Sequence, residues 1–212
     1  MKYFCYDSAL NEEFTLVQLM QRYTRHANVF EGTNDAGIWD AAPWLFELNS
    51  NPYELKGQPM IQLEHCVVFE TKERIKEILD YLQSKIYFKK DAQSKYLRIW
   101  DARVLLKYLQ NADAKDVFDF YQVFTTFYTE SEEDAFLNKW EWKGGNRIQS
   151  VKVLKSEALP VIKTEEELNR EYEEQHNPKA VEIKKEPPAE IKEPEAEVPL
   201  EEKPKRRRFL AD

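Results

Sequence analysis

Glycine is scarce in this chain of 212 residues: there are five, together with 2 cysteines and 3 histidines, and each shortage removes a class of chemistry. Loops that cradle phosphate need a glycine-rich stretch backed by a lysine or a helix start. The one glycine pair, Gly144-Gly145, lies between two β-prone runs in "WEWKGGNRIQSVKVL" and reads as a hairpin turn. Cys5 and Cys66 both sit in apolar stretches, too few for a disulfide scaffold and with no C-x-x-C between them, so they read as buried thiols. His26, His65 and His176 share no metal-ligand spacing, and no G-x-S-x-G elbow exists. No metal or other cofactor, and no catalytic residue, is therefore expected. No apolar run approaches the ~18 residues that cross a bilayer, and the N-terminus lacks the apolar stretch of a signal peptide. The expectation is a cytoplasmic protein without membrane contact. A formal charge of -8 argues against nucleic acid as a partner.

What the chain does have is unevenly spread. Hydrophobic residues make up 42% and aromatics 13%, yet from Thr164 onward aromatics nearly vanish and Glu, Lys and Pro dominate. The folding part is therefore about 160 residues, enough for one core. Three regions are predicted: an α/β lobe over 1–110, a small C-terminal lobe of helix and hairpin over 111–160, and a charged, mostly disordered tail over 161–212. Thr164 and Glu167 have the spacing of a capping box at the start of that tail.

The patterning predicts a strand over Lys2–Asp7, then a helix capped by Asn11 and running to about His26. A loop punctuated by Gly32, Gly37 and Pro43 leads to a short strand near Trp44–Leu48. A strand from Ile61 to Phe69 follows, with Leu63, His65, Val67 and Phe69 on one face, then a helix capped by Thr71. Tyr96–Trp100 reads as a strand, Ala102–Gln110 as a helix and Asp113–Tyr128 as one long aromatic helix. The fold class is α/β (α+β): a mixed sheet with flanking helices, followed by the aromatic helix and the hairpin.

The stripe containing Phe120, Tyr121, Phe124, Phe127 and Tyr128 is either ordinary core or the lining of a protein-binding groove. Asp101 beside Arg103 is either a helix cap with a local ion pair or the site of a small enzyme or ligand-binding domain. One feature repeats: Ile-Trp-Asp-Ala occurs at Ile38–Ala41 and again at Ile99–Ala102. The residues after each copy diverge, Ala-Pro-Trp in one and Arg-Val-Leu in the other, so a duplicated module is not expected.

These two segments carry a resemblance. In "VFEGTNDAGIWDAAPWLFELN", Phe30, Gly32, Thr33, Ala42, Pro43, Trp44, Leu45 and Leu48 fit a Phe-x-Gly-Thr stretch leading into an Ala-Pro-x-Leu strand. In "KYLRIWDARVLLKYLQ", residues Arg98 to Leu105 fit an Arg-x-x-Asp-Pro-Arg-Val-Leu signature, with Ala102 where the proline usually stands. With the opening strand ending at Asp7, this order resembles the type VI secretion effector chaperone/adaptor family over roughly Lys2 to Gln110. The resemblance implies a non-enzymatic loader that binds a toxin effector and helps mount it on the valine-glycine repeat spike protein, and that is monomeric when free. It implies structural roles for Asp7, Phe30, Gly32, Pro43, Leu45, Asp101 and Arg103. Partner contacts are expected at Trp44, Trp100, Asp101, Arg103, Phe120 and Phe124, with the tail as a tether.

Overall fold

The structure, a computed structural model, describes residues 1–90 and 93–159 together with Glu167, Asn169, Arg170 and Tyr172. In chain order it runs β1 (Lys2–Asp7), α1 (Glu13–Arg22), β2 (His26–Asn28), β3 (Pro43–Glu47) and β4 (Val67–Glu70). Then come α2 (Ile75–Ile86), the hairpin β5 (Tyr87–Lys90) and β6 (Gln93–Tyr96), α3 (Ala102–Asn111) and α4 (Ala114–Val123). β7 (Thr126–Glu130), β8 (Phe136–Trp142), β9 (Ile148–Leu154) and the single turn α5 (Lys155–Ala158) close it. Seven strands form one sheet in the order β2-β3-β1-β4-β7-β8-β9.

The α+β class is as expected, but every pair in that sheet is antiparallel rather than mixed. The reason lies in where β3 goes. β2 follows β1 through a helix and runs in the same direction, as in a parallel unit, but β3 slots between them and pairs antiparallel with both. The expected C-terminal hairpin forms as β8 and β9, and through β7 it extends this same sheet. Gly144 and Gly145, at φ +96° and +60°, make its turn.

Both faces of the sheet are covered, which explains the unbroken apolar run of β1. On one face Tyr3, Cys5, Leu45, Val67, Phe69 and Phe127 pack with Ile78 and Leu82 of α2, Leu105 and Leu109 of α3, and Val117 and Phe120 of α4. On the other, Phe4, Tyr6, Phe46, Val68 and Tyr128 pack with Leu16 and Leu19 of α1, with Tyr53 and Leu55, and with Ala158. Cys5 and Cys66 are free buried thiols on opposite faces, and burial raises both pKa values.

Several local expectations are corrected, including the cap of α2, whose N-cap position is Arg74 rather than Thr71. The strand over Ile61–Phe69 begins only at Val67, because Met60 and His65 take positive φ values of 67° and 56°. The kink at His65 reverses the alternation, so Leu63 joins Cys66 and Val68 instead of Val67 and Phe69. The long aromatic helix stops at Val123; Phe124 ends it and Phe127 and Tyr128 enter β7 on opposite faces. Asn11 does not cap α1, which starts after Glu12; it is buried, donating to the Asp7 and Glu64 carbonyls and accepting from Glu64 N. Thr71 stands ahead of α2, accepting from Glu73 N at 3.0 Å and donating to the Val123 carbonyl. Beyond Tyr96, residues 97–100 leave the strand. Of the tail over 161–212, Glu167, Asn169, Arg170 and Tyr172 are described and have helical backbone; the disorder expected of the rest, and Thr164, lie outside the described residues.

Candidate functional site

The two Ile-Trp-Asp-Ala segments take opposite fates. Ile38–Ala41 lies in a 3-10 turn (Ala36–Ala41) that leaves Ile38 and Trp39 50% and 56% exposed. Ile99–Ala102 leads into α3 and buries Ile99 and Trp100 to 0% and 1%. The same four letters thus build a core anchor once and an exposed apolar surface once.

The segments nevertheless converge. Trp100 and Arg98 from the second, Ile38 and Ala41 from the first, and Asp7, Phe30 and Tyr96 line one cavity of about 180 Å³. Its polar centre is Asp7, buried at the end of β1. One carboxylate oxygen accepts from Trp100 Nε1 at 2.9 Å and from Arg98; the other accepts from Ala9 N at 3.1 Å. Phe30 meets the Trp100 ring edge-on at 5.8 Å between centroids. Phe30 is held there by a tight turn in which Thr33 N donates to the Phe30 carbonyl at 3.0 Å. Gly32 stands at the third position of that turn with φ +76°, a conformation a side chain disfavours even though a Cβ would meet nothing within 4 Å. Pro43 opens β3, where its missing N–H removes no interior ladder bond, and Leu45 pairs with Cys5 in the core.

Around the mouth of this cavity the surface is apolar and aromatic. Tyr96 touches Trp100 edge-on at 6.4 Å and Tyr87 at 5.9 Å. Tyr87 and Tyr96 are themselves exposed, and Tyr96 shares the cavity lining with Ile38, which Trp39 follows in the chain. Burial and the Asp35 carboxylate push the Tyr96 phenol up, so it stays a neutral donor at physiological pH.

Asp101 and Arg103 lock to each other. One Asp101 oxygen accepts from Arg103 N at 2.9 Å and Nε at 3.1 Å, the other from Nη2 at 2.8 Å. The carboxylate caps α3 as expected, and both its oxygens are engaged by one residue. Burial pushes the Asp101 carboxyl up, but the hydrogen bonds and charge of Arg103 outweigh it and hold the pKa below the usual aspartate value. A depressed folded-state pKa means the cap's contribution is complete above about pH 4 and is lost as pH falls through the folded value. Asp101→Ala should therefore cost about 1–2 kcal/mol in urea unfolding at neutral pH, and the difference from the parent should shrink toward pH 3.

The remaining expected contact residues do not share a groove. Phe120 and Phe124 are fully buried among Phe69, Phe127 and Tyr81, on the same face as Trp100. Trp44 is half-buried on the opposite face, against His26 at 5.9 Å. Among the described residues, no three His, Cys, Asp or Glu are grouped so as to hold a metal ion, and no helix is long and apolar enough to cross a membrane.

A family profile described as "Domain of unknown function (DUF4123)" matches residues 6–117, just over half of the chain. The chain belongs to this family. No curated protein and no solved structure matches it. The DUF4123 region spans Asp7, the Gly32 turn, both Ile-Trp segments and the Asp101 cap, and ends inside α4, so β7–β9 lie beyond it. Within it, sequence reasoning had passed over Ile38, Trp39, Tyr87 and Tyr96. The available signal was a bulky apolar pair one residue after Gly37, in a loop too glycine-marked to be a core element.

Proposed function

We propose that this DUF4123 protein is an effector chaperone/adaptor of a type VI secretion system, which holds a toxin effector and helps deliver it to the valine-glycine repeat spike protein. Support comes from the family match together with the signature order around Asp7, Gly32, Pro43 and Asp101. The observation that carries the reading is that exposed Ile38 and Tyr96 line the cavity around Asp7, with exposed Tyr87 against Tyr96 and exposed Trp39 next to Ile38 in the chain. Exposed aromatic clusters with a polar tip are characteristic of protein-binding hot spots, because they exclude water at little entropic cost. An apolar effector segment laid across Trp39 and Tyr96 would be shielded until handover.

Co-expression with the products of the neighbouring genes tests the reading. Trp39→Ala should leave melting within about 0.5 kcal/mol of the parent, because the ring is mostly in solvent. It should weaken the effector complex at least about tenfold, the loss of one interfacial anchor. An unchanged complex with Trp39→Ala and Ile38→Ala combined would move the interface elsewhere. Absence of any complex would defeat the adaptor reading itself.

A further inference from the structure

A second recognition feature lies on the other side of the molecule, at the sheet edge formed by β2. A cleft of about 350 Å³ opens there between Thr24–His26 and the start of α2 at Arg74 and Ile75, with Glu47 in its lining. Two residues from far along the chain enter it. The Arg74 guanidinium lies over the Tyr172 ring, 3.3 Å from its centroid. Asn169 Oδ1 accepts from Arg25 Nη2 at 3.0 Å. Arg25 in turn faces the buried Glu47 carboxylate at 3.5 Å, so that carboxylate fixes the guanidinium that meets Asn169.

Asn169 and Tyr172 are three residues apart with helical backbone, so both side chains project from one helical face. The surrounding stretch "TEEELNREYEEQH" carries six glutamates against one arginine. An acidic strip thus presents one aromatic ring and one carboxamide to a cleft that presents two arginines. Arg74 recognises the face of the ring. Arg25 donates a charge-assisted bond to the carboxamide.

We propose that this cleft is a docking site for an acidic, tyrosine-bearing helical segment, and that residues around Asn169–Tyr172 of the chain itself are its resident occupant. Because Asn169 and Tyr172 belong to the same chain as the cleft, their effective concentration is of order mM, so even a weak contact stays closed in cis. A partner segment of the same chemistry enters by displacing it, which frees the charged residues beyond. The cleft lies apart from the Trp39 surface, and the inference does not rest on the adaptor reading.

The test uses the full chain and a fluorescein-labelled peptide of residues 164–176, read by anisotropy. Asn169→Ala/Tyr172→Ala should release Arg25 and Arg74 to the peptide, while the parent, in which these two side chains already engage both arginines, should bind at least about tenfold more weakly. Adding Arg74→Ala to the opened variant should abolish most of that binding, and raising salt should weaken it by screening the glutamates. Melting curves establish that each variant is folded. Equal binding by parent and opened variant, no binding by the opened variant, or indifference to Arg74→Ala would each overturn the proposal.

Discussion

Phe120→Ala should destabilise the fold by about 3–5 kcal/mol, the range for removing a large aromatic from a packed core. Phe120 has no exposed surface. Its ring centroid lies 4.9 Å from Phe124, 5.6 Å from Phe127, 6.3 Å from Phe69 and 6.3 Å from Tyr81. These neighbours come from α2, β4 and β7 as well as α4, so the void left by alanine cannot close by moving one element. At about 2–4 °C per kcal/mol for a domain of this size, the melting point should drop by roughly 10 °C. A groove-lining phenylalanine would behave oppositely, with melting nearly unchanged and partner binding lost. Paired with Trp39→Ala, which has the reverse expectation, this substitution separates core aromatics from surface aromatics by experiment.

That contrast shows where the sequence was legible. Elements bounded by strong local chemistry were: the β1 run, the Asp101 cap on α3 and the Gly-Gly turn of the C-terminal hairpin all lie where pattern placed them. Pattern failed where the backbone changes phase without a visible breaker. Helical spacing continues through Phe124, Phe127 and Tyr128, yet α4 ends and β7 begins because Thr126–Glu130 complete a ladder with β4 and β8. His65 adopts a left-handed conformation that no glycine announces, and with it Leu63 changes face. The exposure of Ile38 and Trp39 was hidden for a related reason. Ile-Trp-Asp-Ala reads identically at both places, and only the tertiary frame decides that one copy is core and the other solvent-facing. Pairings such as Asp7 with Trp100 join residues far apart in sequence, and periodicity carries no information about them.

Asp7→Ala is the second substitution expected to act strongly, at about 3–4 kcal/mol, and it probes how the signature residues frame that surface. The change leaves the buried Trp100 Nε1–H without its acceptor, which costs about 1–3 kcal/mol. Arg98 loses its ion pair, but its guanidinium is only partly buried and regains water, so its share is the smaller. Arg98→Ala does the converse and leaves a buried carboxylate with only the Trp100 and Ala9 N–H groups, so it too should cost several kcal/mol. In a double-mutant cycle the two should couple by about 1–3 kcal/mol, because most of the Arg98→Ala cost is the stranded Asp7 carboxylate, which the double variant removes. Asp7→Asn can keep its one acceptor oxygen on Trp100 Nε1 and Arg98 but loses the charge and turns an N–H₂ toward the Ala9 N–H, so it should rescue only part of the loss. Trp100→Phe removes the donor while keeping most of the ring, and should cost less than Asp7→Ala. This ranking, read from urea unfolding, would establish Asp7 as the clamp between β1 and the segment that delivers α3. An Asp7→Ala variant that melts like the parent yet releases the effector would place the carboxylate in the interface instead.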